Sequence, residues 1–356
     1  MTIAFWALMA AAVGQIEPDE MIAFFPTAAF FDIAASVWRV PIHGWIYEPE
    51  EDSLKRAAFL GLLRHALRLE KDSEETELFR TRARLFLVDN QRGKQITISL
   101  GAKTYPLGPS EANGHFHGRI DLTTTEMDAL VTEENDPNGW ISFQAVVPVD
   151  DERVFAGVVQ VVREDGLSVI SDIDDTIKVS HVAQRRQLLR NTFCCEFEAV
   201  PGMAKLYADW ARSGAVFHYV SASPWQLHAP LAEFCADSGF PRGTFHMKVF
   251  RVKDSSLFDL VGSPDELKWR AIEPLLKAWP RRRFICVGDS GERDPEIFAA
   301  LAREYPEQIT RIHIRSVDGD TADAPRFQQA FAGVPRERWS VFRTADELPL
   351  LLPSDE

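Results

Sequence analysis

Three short stretches of this sequence hold residue types that could do chemistry together. They are Asp172-Ile173-Asp174-Asp175-Thr176, Ser221-Ala222-Ser223-Pro224-Trp225 and Gly288-Asp289-Ser290-Gly291-Glu292-Arg293-Asp294. Carboxylates brought together repel one another, so a site holding Asp172, Asp174, Asp289 and Asp294 would be costly without a cation. The donors on offer are all oxygens, which suits a hard ion, Mg²⁺ first. A carboxylate beside such an ion can attack phosphorus and form an aspartyl-phosphate. The ion offsets the repulsion between anionic nucleophile and phosphate. A second carboxylate two residues on can protonate the leaving group and then activate water. Ser221 and Lys268 are the candidates for completing a phosphate-binding site, with Ser223 a less favoured substitute for Ser221.

Those clusters need elements that bring them to one place. Each follows a short apolar run: Leu167–Ser171, Val216–Val220 and Phe284–Val287. Phe245–Val249 and Ile309–Ile314 are further buried-strand candidates. Helical patterns separate them, over Met203–Arg212, Pro230–Asp237, Lys268–Ala278 and Pro295–Tyr305. Strands alternating with helices imply a doubly wound parallel sheet, which binds ligands just past the carboxyl ends of its strands. The catalytic domain is therefore expected over residues 166–356.

Residues 15–165 read differently. Ser36–Ile46, Ala83–Val88, Lys94–Leu100, His115–Leu122, Trp140–Val147 and Val154–Val162 are strand candidates separated by turn signals. Leu54–Leu69 has the spacing of one helical insertion. This is the pattern of a strand-rich, β-sandwich-like domain. His115 and His117 share a strand face without a third ligand nearby, and read as a solvated face. Residues 1–14 form an apolar stretch ending in small residues. It reads either as a signal segment lacking its usual basic start or as a short terminal helix, so cytoplasmic, peripheral-membrane and exported locations stay open.

The motifs carry a resemblance. DIDDT (172–176), YVSASPWQL (219–227), Lys268 and VGDSGERDPEIF (287–298) resemble the four motifs of the haloacid-dehalogenase (HAD) superfamily. The longer text, SVISDIDDTIKVS with GDSGERDPEIF and ITRIHIR, is similar to the actin-patch type phosphatidate phosphatases of fungi and their bacterial relatives, which share a DxDxT motif with the lipins. The resemblance implies a HAD-like Rossmannoid fold and a Mg²⁺-dependent hydrolysis of phosphatidate to diacylglycerol. It casts Asp172 as nucleophile and metal ligand. Asp174 would be the acid/base, with its backbone carbonyl on the metal. Thr176 would be the motif's hydroxyl, Ser221 the phosphate binder and Lys268 the motif lysine. Asp289 would be a direct metal ligand and Asp294 an outer one. Lys248 and Lys253 compete with Lys268 on spacing. The connections Ile177–Phe217 and Ser223–Phe245 are short, so no large cap is expected. Arg185, on a basic helical stretch, and Trp225, at the expected rim, are candidates for substrate contact.

Other classes fit less well. Of 356 residues, 39 are Lys or Arg and 53 Asp or Glu, a formal charge of −14, which argues against coating nucleic acid. A peripheral membrane contact stays open. Residues 1–165 hold 15 basic and 26 acidic residues, so most of the excess lies there. Four cysteines without metal-ligand spacing give neither a disulfide scaffold nor a zinc site. Ser221 lacks the turn of a serine-hydrolase elbow. The alternatives kept are a phosphatase for another phosphomonoester and a non-catalytic lipid-sensing module.

Overall fold

The structure, a computed structural model, describes residues 16–49, 74–250 and 265–350, with residues 60, 61, 63, 64 and 67 between the first two spans. The 1–14 stretch, Lys253 and most of Leu54–Leu69 lie outside the described residues. The chain divides into two compact units, residues 1–53 with 87–162 and residues 54–86 with 163–356. The later division lies between Val162 and Arg163. The segment 54–86, however, goes with the second unit instead of the strand-rich domain that flanks it in sequence.

The first unit carries β1 (Met21–Phe25), β2 (Thr27–Asp32) and β3 (Val37–Pro49). The second unit's helix α1 (Glu74–Arg84) then precedes β4 (Val88–Asn90). Back in the first unit follow β5 (Gln95–Leu100), β6 (Lys103–Pro109) and β7 (His115–Leu122). Helix α2 (Thr124–Glu134), β8 (Trp140–Ala145) and β9 (Ala156–Val161) complete it. The nine strands form one hydrogen-bonded network in which β2 pairs with β3 on one side and β9 on the other. Its core draws Ile42 and Phe116 from one group of strands and Ile98 and Phe143 from the other. A side chain at Gly44 would fall 2.2 Å from the Phe116 ring, so the tight β3–β7 crossing needs glycine there.

Two expectations change here. Ala83 and Arg84 end helix α1 and only Val88–Asn90 is strand, because the apolar run Leu85–Leu87 follows the helix through a turn. His115 is not part of a solvated face. It is buried, and its Nδ1 lies 3.0 Å from Nε2 of His43, which β3 brings alongside.

In the second unit six strands form an all-parallel sheet: β10 (Leu167–Asp172), β11 (Val216–Pro224), β12 (Thr244–Lys248), β13 (Arg283–Asp289), β14 (Ile309–Arg315) and β15 (Trp339–Phe342). Their spatial order is β12-β11-β10-β13-β14-β15. The chain winds outward from β10 in one direction, then from β13 in the other, so the order reverses between those two strands. The expected parallel sheet is present, and β15 is a sixth strand that the sequence reading did not include.

Helices α3 (Arg185–Cys194) and α4 (Met203–Arg212) lie between β10 and β11. Helix α5 (His228–Asp237) precedes β12, and α6 (Asp265–Ala278) precedes β13. Helices α7 (Asp294–Glu304) and α8 (Pro325–Ala330) follow β13 and β14 in turn. Among the described residues the β10–β11 and β11–β12 connections hold no separate cap domain.

Candidate active site

The reversal of strand order places the ends of β10 and β13 side by side, Ser171 level with Val287. Asp172 ends one strand and Asp289 the other, so their carboxylates meet without any long excursion of the chain. Asp294 opens α7 five residues later. Its Oδ2 accepts the Asp289 amide at 3.2 Å. This close return needs Gly288, because a Cβ there would lie 2.2 Å from Asp294 Oδ2. Asp172, Asp289 and Asp294 each present a carboxylate oxygen within 4.8 Å of the other two, and all three are buried.

Lys268, in the first turns of α6, enters this group from the side. It is 1% exposed. Its Nζ lies 2.8 Å from Asp172 Oδ1 and 3.0 Å from Glu292 Oε2, and it also contacts Asp294 Oδ1. Among the described residues Lys268 is the lysine that contacts the clustered aspartates, and Lys248 lies on β12. One ammonium faces four carboxylates. Burial pushes the Asp172 carboxyl well up, Lys268 pulls it back, and Asp294 and Asp289 add to the rise. Asp289 is also raised, first by burial and then by Asp294. Burial opposes the Lys268 charge, but Asp172, Asp294 and Glu292 more than reverse this and hold it well above its ordinary value.

The donor set fits a hard divalent cation. Oδ2 of Asp172 and Oδ2 of Asp289 are buried without a hydrogen-bond partner. Unpartnered buried carboxylate oxygens cost free energy unless a cation takes them. Nitrogen and sulfur ligands are absent from this group of three.

Asp174 turns to different company. Its Oδ1 accepts Ser180 Oγ at 2.7 Å and pairs with Lys178 Nζ at 2.7 Å. Its Oδ2 accepts Ser221 Oγ at 3.2 Å and Ser223 Oγ at 3.1 Å. Burial raises this carboxyl, but Lys178 and the hydroxyl donors prevail and the net direction is down. The side chain of Asp174 is thus apart from the three clustered carboxylates. Asp175 shapes the loop. Its backbone is left-handed at φ 56°, and its carboxylate accepts the amides of Ser180, His181 and Val182 at 2.7, 2.9 and 2.7 Å. Asp175 thus serves the turn and is not one of the clustered carboxylates.

The remaining candidates spread out. Thr176 is fully buried, with its hydroxyl unpartnered. Trp225 is buried at 6% exposure in the single 3₁₀ turn Trp225–Leu227. Arg185 begins α3, and its side chain lies outside what is described. Reading the sequence missed Glu292, although it lies inside the quoted third cluster, and missed Lys178 and Ser180. The only signal for the last two was proximity to the acidic motif.

A small cleft of about 40 Å³ opens beside Asp174. Asp174, Thr192, Ser223 and Glu292 are its polar lining, and the remaining residues are apolar, including Phe86, Leu188, Leu189 and Leu227.

A parallel α/β domain with a buried carboxylate–lysine cluster at the reversal of its strand order is suited to holding an anionic group beside a cation. The comparison with known families agrees. Residues 167–316 match the family described as phosphatidate phosphatase APP1, catalytic domain. A stretch of 167 residues is 36% identical to phosphatidate phosphatase APP1 of Saccharomyces cerevisiae, covering 45% of this chain and 27% of that protein. A stretch of 172 residues is 28% identical to an uncharacterized protein of Schizosaccharomyces pombe, covering 47% of this chain and 28% of that one. Residues 167–316 thus resemble the catalytic domain of the actin-patch type phosphatidate phosphatases, the likeness that the motifs carried. The matches span little more than a quarter of the length of these curated relatives.

Proposed function

We propose that this chain is a Mg²⁺-dependent phosphatidate phosphatase built on a HAD-like fold, releasing phosphate from phosphatidate through an aspartyl-phosphate on Asp172. The observation that carries the reading is the buried, unpartnered Oδ2 of Asp172 within the Asp172–Asp289–Asp294 cluster, inside the region matched by the phosphatidate phosphatase family. Asp172, Asp289 and Asp294 would hold the ion, with the Asp174 backbone carbonyl. When bound, it would supply charge neutralisation between nucleophile and phosphate.

The residues divide the work. Asp172 attacks phosphorus, and Lys268, bonded to its other oxygen, fixes its orientation. Asp174 protonates the departing alcohol and later takes a proton from the attacking water. Its four partners hold it on the side of the cleft, and the lowered pKa describes the free site before a dianionic phosphate arrives. Ser221 and Ser223 would exchange their Asp174 bonds for phosphate oxygens. The substrate lies in bilayers, so the chain would act as a peripheral protein. No described helix is long and apolar enough to cross a membrane.

The test is purified protein assayed on phosphatidate in mixed micelles and on soluble phosphomonoesters, with Mg²⁺ and with EDTA. Phosphatidate hydrolysis abolished by EDTA is expected. Asp172→Asn should lower the rate by more than about a thousandfold, as nucleophile removal does elsewhere. Hydrolysis of soluble esters alone would refute the lipid assignment, and activity surviving Asp172→Asn would refute the mechanism.

A further inference from the structure

Another pocket, of about 320 Å³, lies at the opposite end of the parallel sheet. It opens where the strands begin. Leu167 and Arg283, the first residues of β10 and β13, both line it. Those strands run six and seven residues to Asp172 and Asp289, roughly 20 Å at about 3.3 Å per residue. Three arginines meet here from three elements: Arg283, Arg311 of β14, and Arg338 of the 3₁₀ turn Arg336–Arg338. A strand irregularity puts Arg311 in place. Phe284 pairs with Ile309 and Ile285 with Arg311, so Thr310 is an extra residue in β14. Neighbours in a regular strand face opposite sides, but this bulge brings Thr310 and Arg311 to the same pocket. Backbone carbonyls hold two of the guanidinium groups. Arg311 Nη1 donates to the Thr310 carbonyl at 3.0 Å, and Arg338 Nη1 to the Pro306 carbonyl at 2.6 Å.

We propose that this pocket is a binding site for a small, multiply charged phosphate anion, such as a short polyphosphate, taken from solution. A guanidinium carries five N–H donors in a planar fork that fits phosphate oxygens. Arg311 and Arg338 each commit one nitrogen to a carbonyl, and among the described residues neither pairs with a carboxylate. Glu307, also on the lining, is exposed and pairs with none of the three arginines among the described residues. Positive charge therefore prevails locally in a chain whose formal charge is −14. The whole chain repels anions at range, so direct contacts must supply the attraction, and a ligand with several charges gains most from them. The volume is near the low end of the roughly 300–1,000 Å³ of small-ligand sites. The position of the pocket favours a source in solution. A bilayer that meets the strand ends, where the proposed lipid substrate reacts, does not reach the strand starts. This choice of source rests on the proposed activity, whereas the anion site itself does not.

The experiment titrates the full chain with orthophosphate, pyrophosphate and tripolyphosphate by calorimetry, in EDTA so that no cation bridges these anions to the clustered aspartates. Affinity should rise with each added phosphate group. Arg311→Gln and Arg338→Gln should each weaken tripolyphosphate binding at least about tenfold. Asp172→Asn should leave it unchanged. If one arginine variant fails to fold, as judged by circular dichroism, the other carries the test. Absence of tripolyphosphate binding, binding as tight as the parent's in the arginine variants, or loss of binding in Asp172→Asn would overturn the site. Sedimentation with vesicles of phosphatidylcholine and phosphatidylinositol bisphosphate should be the same for Arg311→Gln and the parent. Vesicle binding that Arg311→Gln abolishes would overturn the source in solution. Because these titrations need no turnover, the site can stand or fall separately from phosphatidate hydrolysis, which the micelle assay reads.

Discussion

Lys268 is the residue on which the charge balance of the site turns. Among the described residues it is the cation that contacts Asp172, Glu292 and Asp294 together, and it is as buried as the two aspartates. Its removal leaves a concentration of negative charge with no internal partner. Truncating one member of a buried ionic group costs about 3–5 kcal/mol. Lys268→Met is therefore expected to lose about that much stability in Mg²⁺-free urea denaturation. Added Mg²⁺ should restore more stability to the variant than it adds to the parent, because the cation then supplies the missing charge. Equal gains in both would contradict a shared site for Lys268 and the ion. Asp172 and Asp289 could be placed from the sequence because a strand end in a parallel sheet is a fixed address, and Asp294 because it opens the helix that follows. Lys178 could not be. A lysine beside an acidic motif reads as a solvated counter-charge, and only the fold shows it buried at 2.7 Å from Asp174.

At the scale of elements, the parallel strands and most helices were readable from apolar runs and their spacing. Met203–Arg212 agrees residue for residue, since Met203, Leu206, Tyr207 and Trp210 all face inward. The failures share one cause. Leu85–Leu87 is apolar enough for a strand, yet it is a turn buried beneath a helix end. The destination of residues 54–86 depends on packing against α3, more than a hundred residues away, and no local pattern encodes that. The weight of that packing is testable at Arg82. Arg82→Ala removes charge-assisted bonds to half-buried carbonyls at the end of α3 and should cost about 2–4 kcal/mol in urea denaturation. The exposed Glu196, 3.7 Å away, adds little to this. Both carbonyl bonds come from the one nitrogen Nη1, while the guanidinium lies 3.8 Å from the Phe197 ring centroid. Arg82→Lys should recover only part of the loss, because an ammonium keeps the charge but not the planar group against that ring. Full recovery by lysine would mean that charge alone, and not the contact with Phe197, holds the helix end.

Over the whole molecule, acid should act in two windows. In the second unit, His218 on β11 and His313 on β14 are buried. Burial, then His246 and Arg282, hold His218 well below its ordinary value, and burial with Arg311 pushes His313 down to about 4. The unfolded chain takes up these protons near pH 6.5, whereas folded His313 takes its proton only near pH 4. Between those values the unfolded state binds more protons, so stability falls as pH drops, by at most about 1.4 kcal/mol per pH unit for each histidine. The lower window belongs to the first unit. There Lys103 holds Glu126 at about 2, and Arg153 does the same for Asp151. Their contribution is present above the ordinary carboxylate range and is lost as pH falls toward 2. The measurement is urea denaturation of the full chain from pH 7.5 to 4.5 in saturating Mg²⁺, which keeps the clustered aspartates ionised. His313→Gln should flatten the loss of stability between pH 6.5 and 4.5 by one proton's worth. It should leave the profile above pH 7 parallel to that of the parent. An unchanged slope would mean that His313 titrates alike in both states, and that its place in the sheet does not keep it neutral.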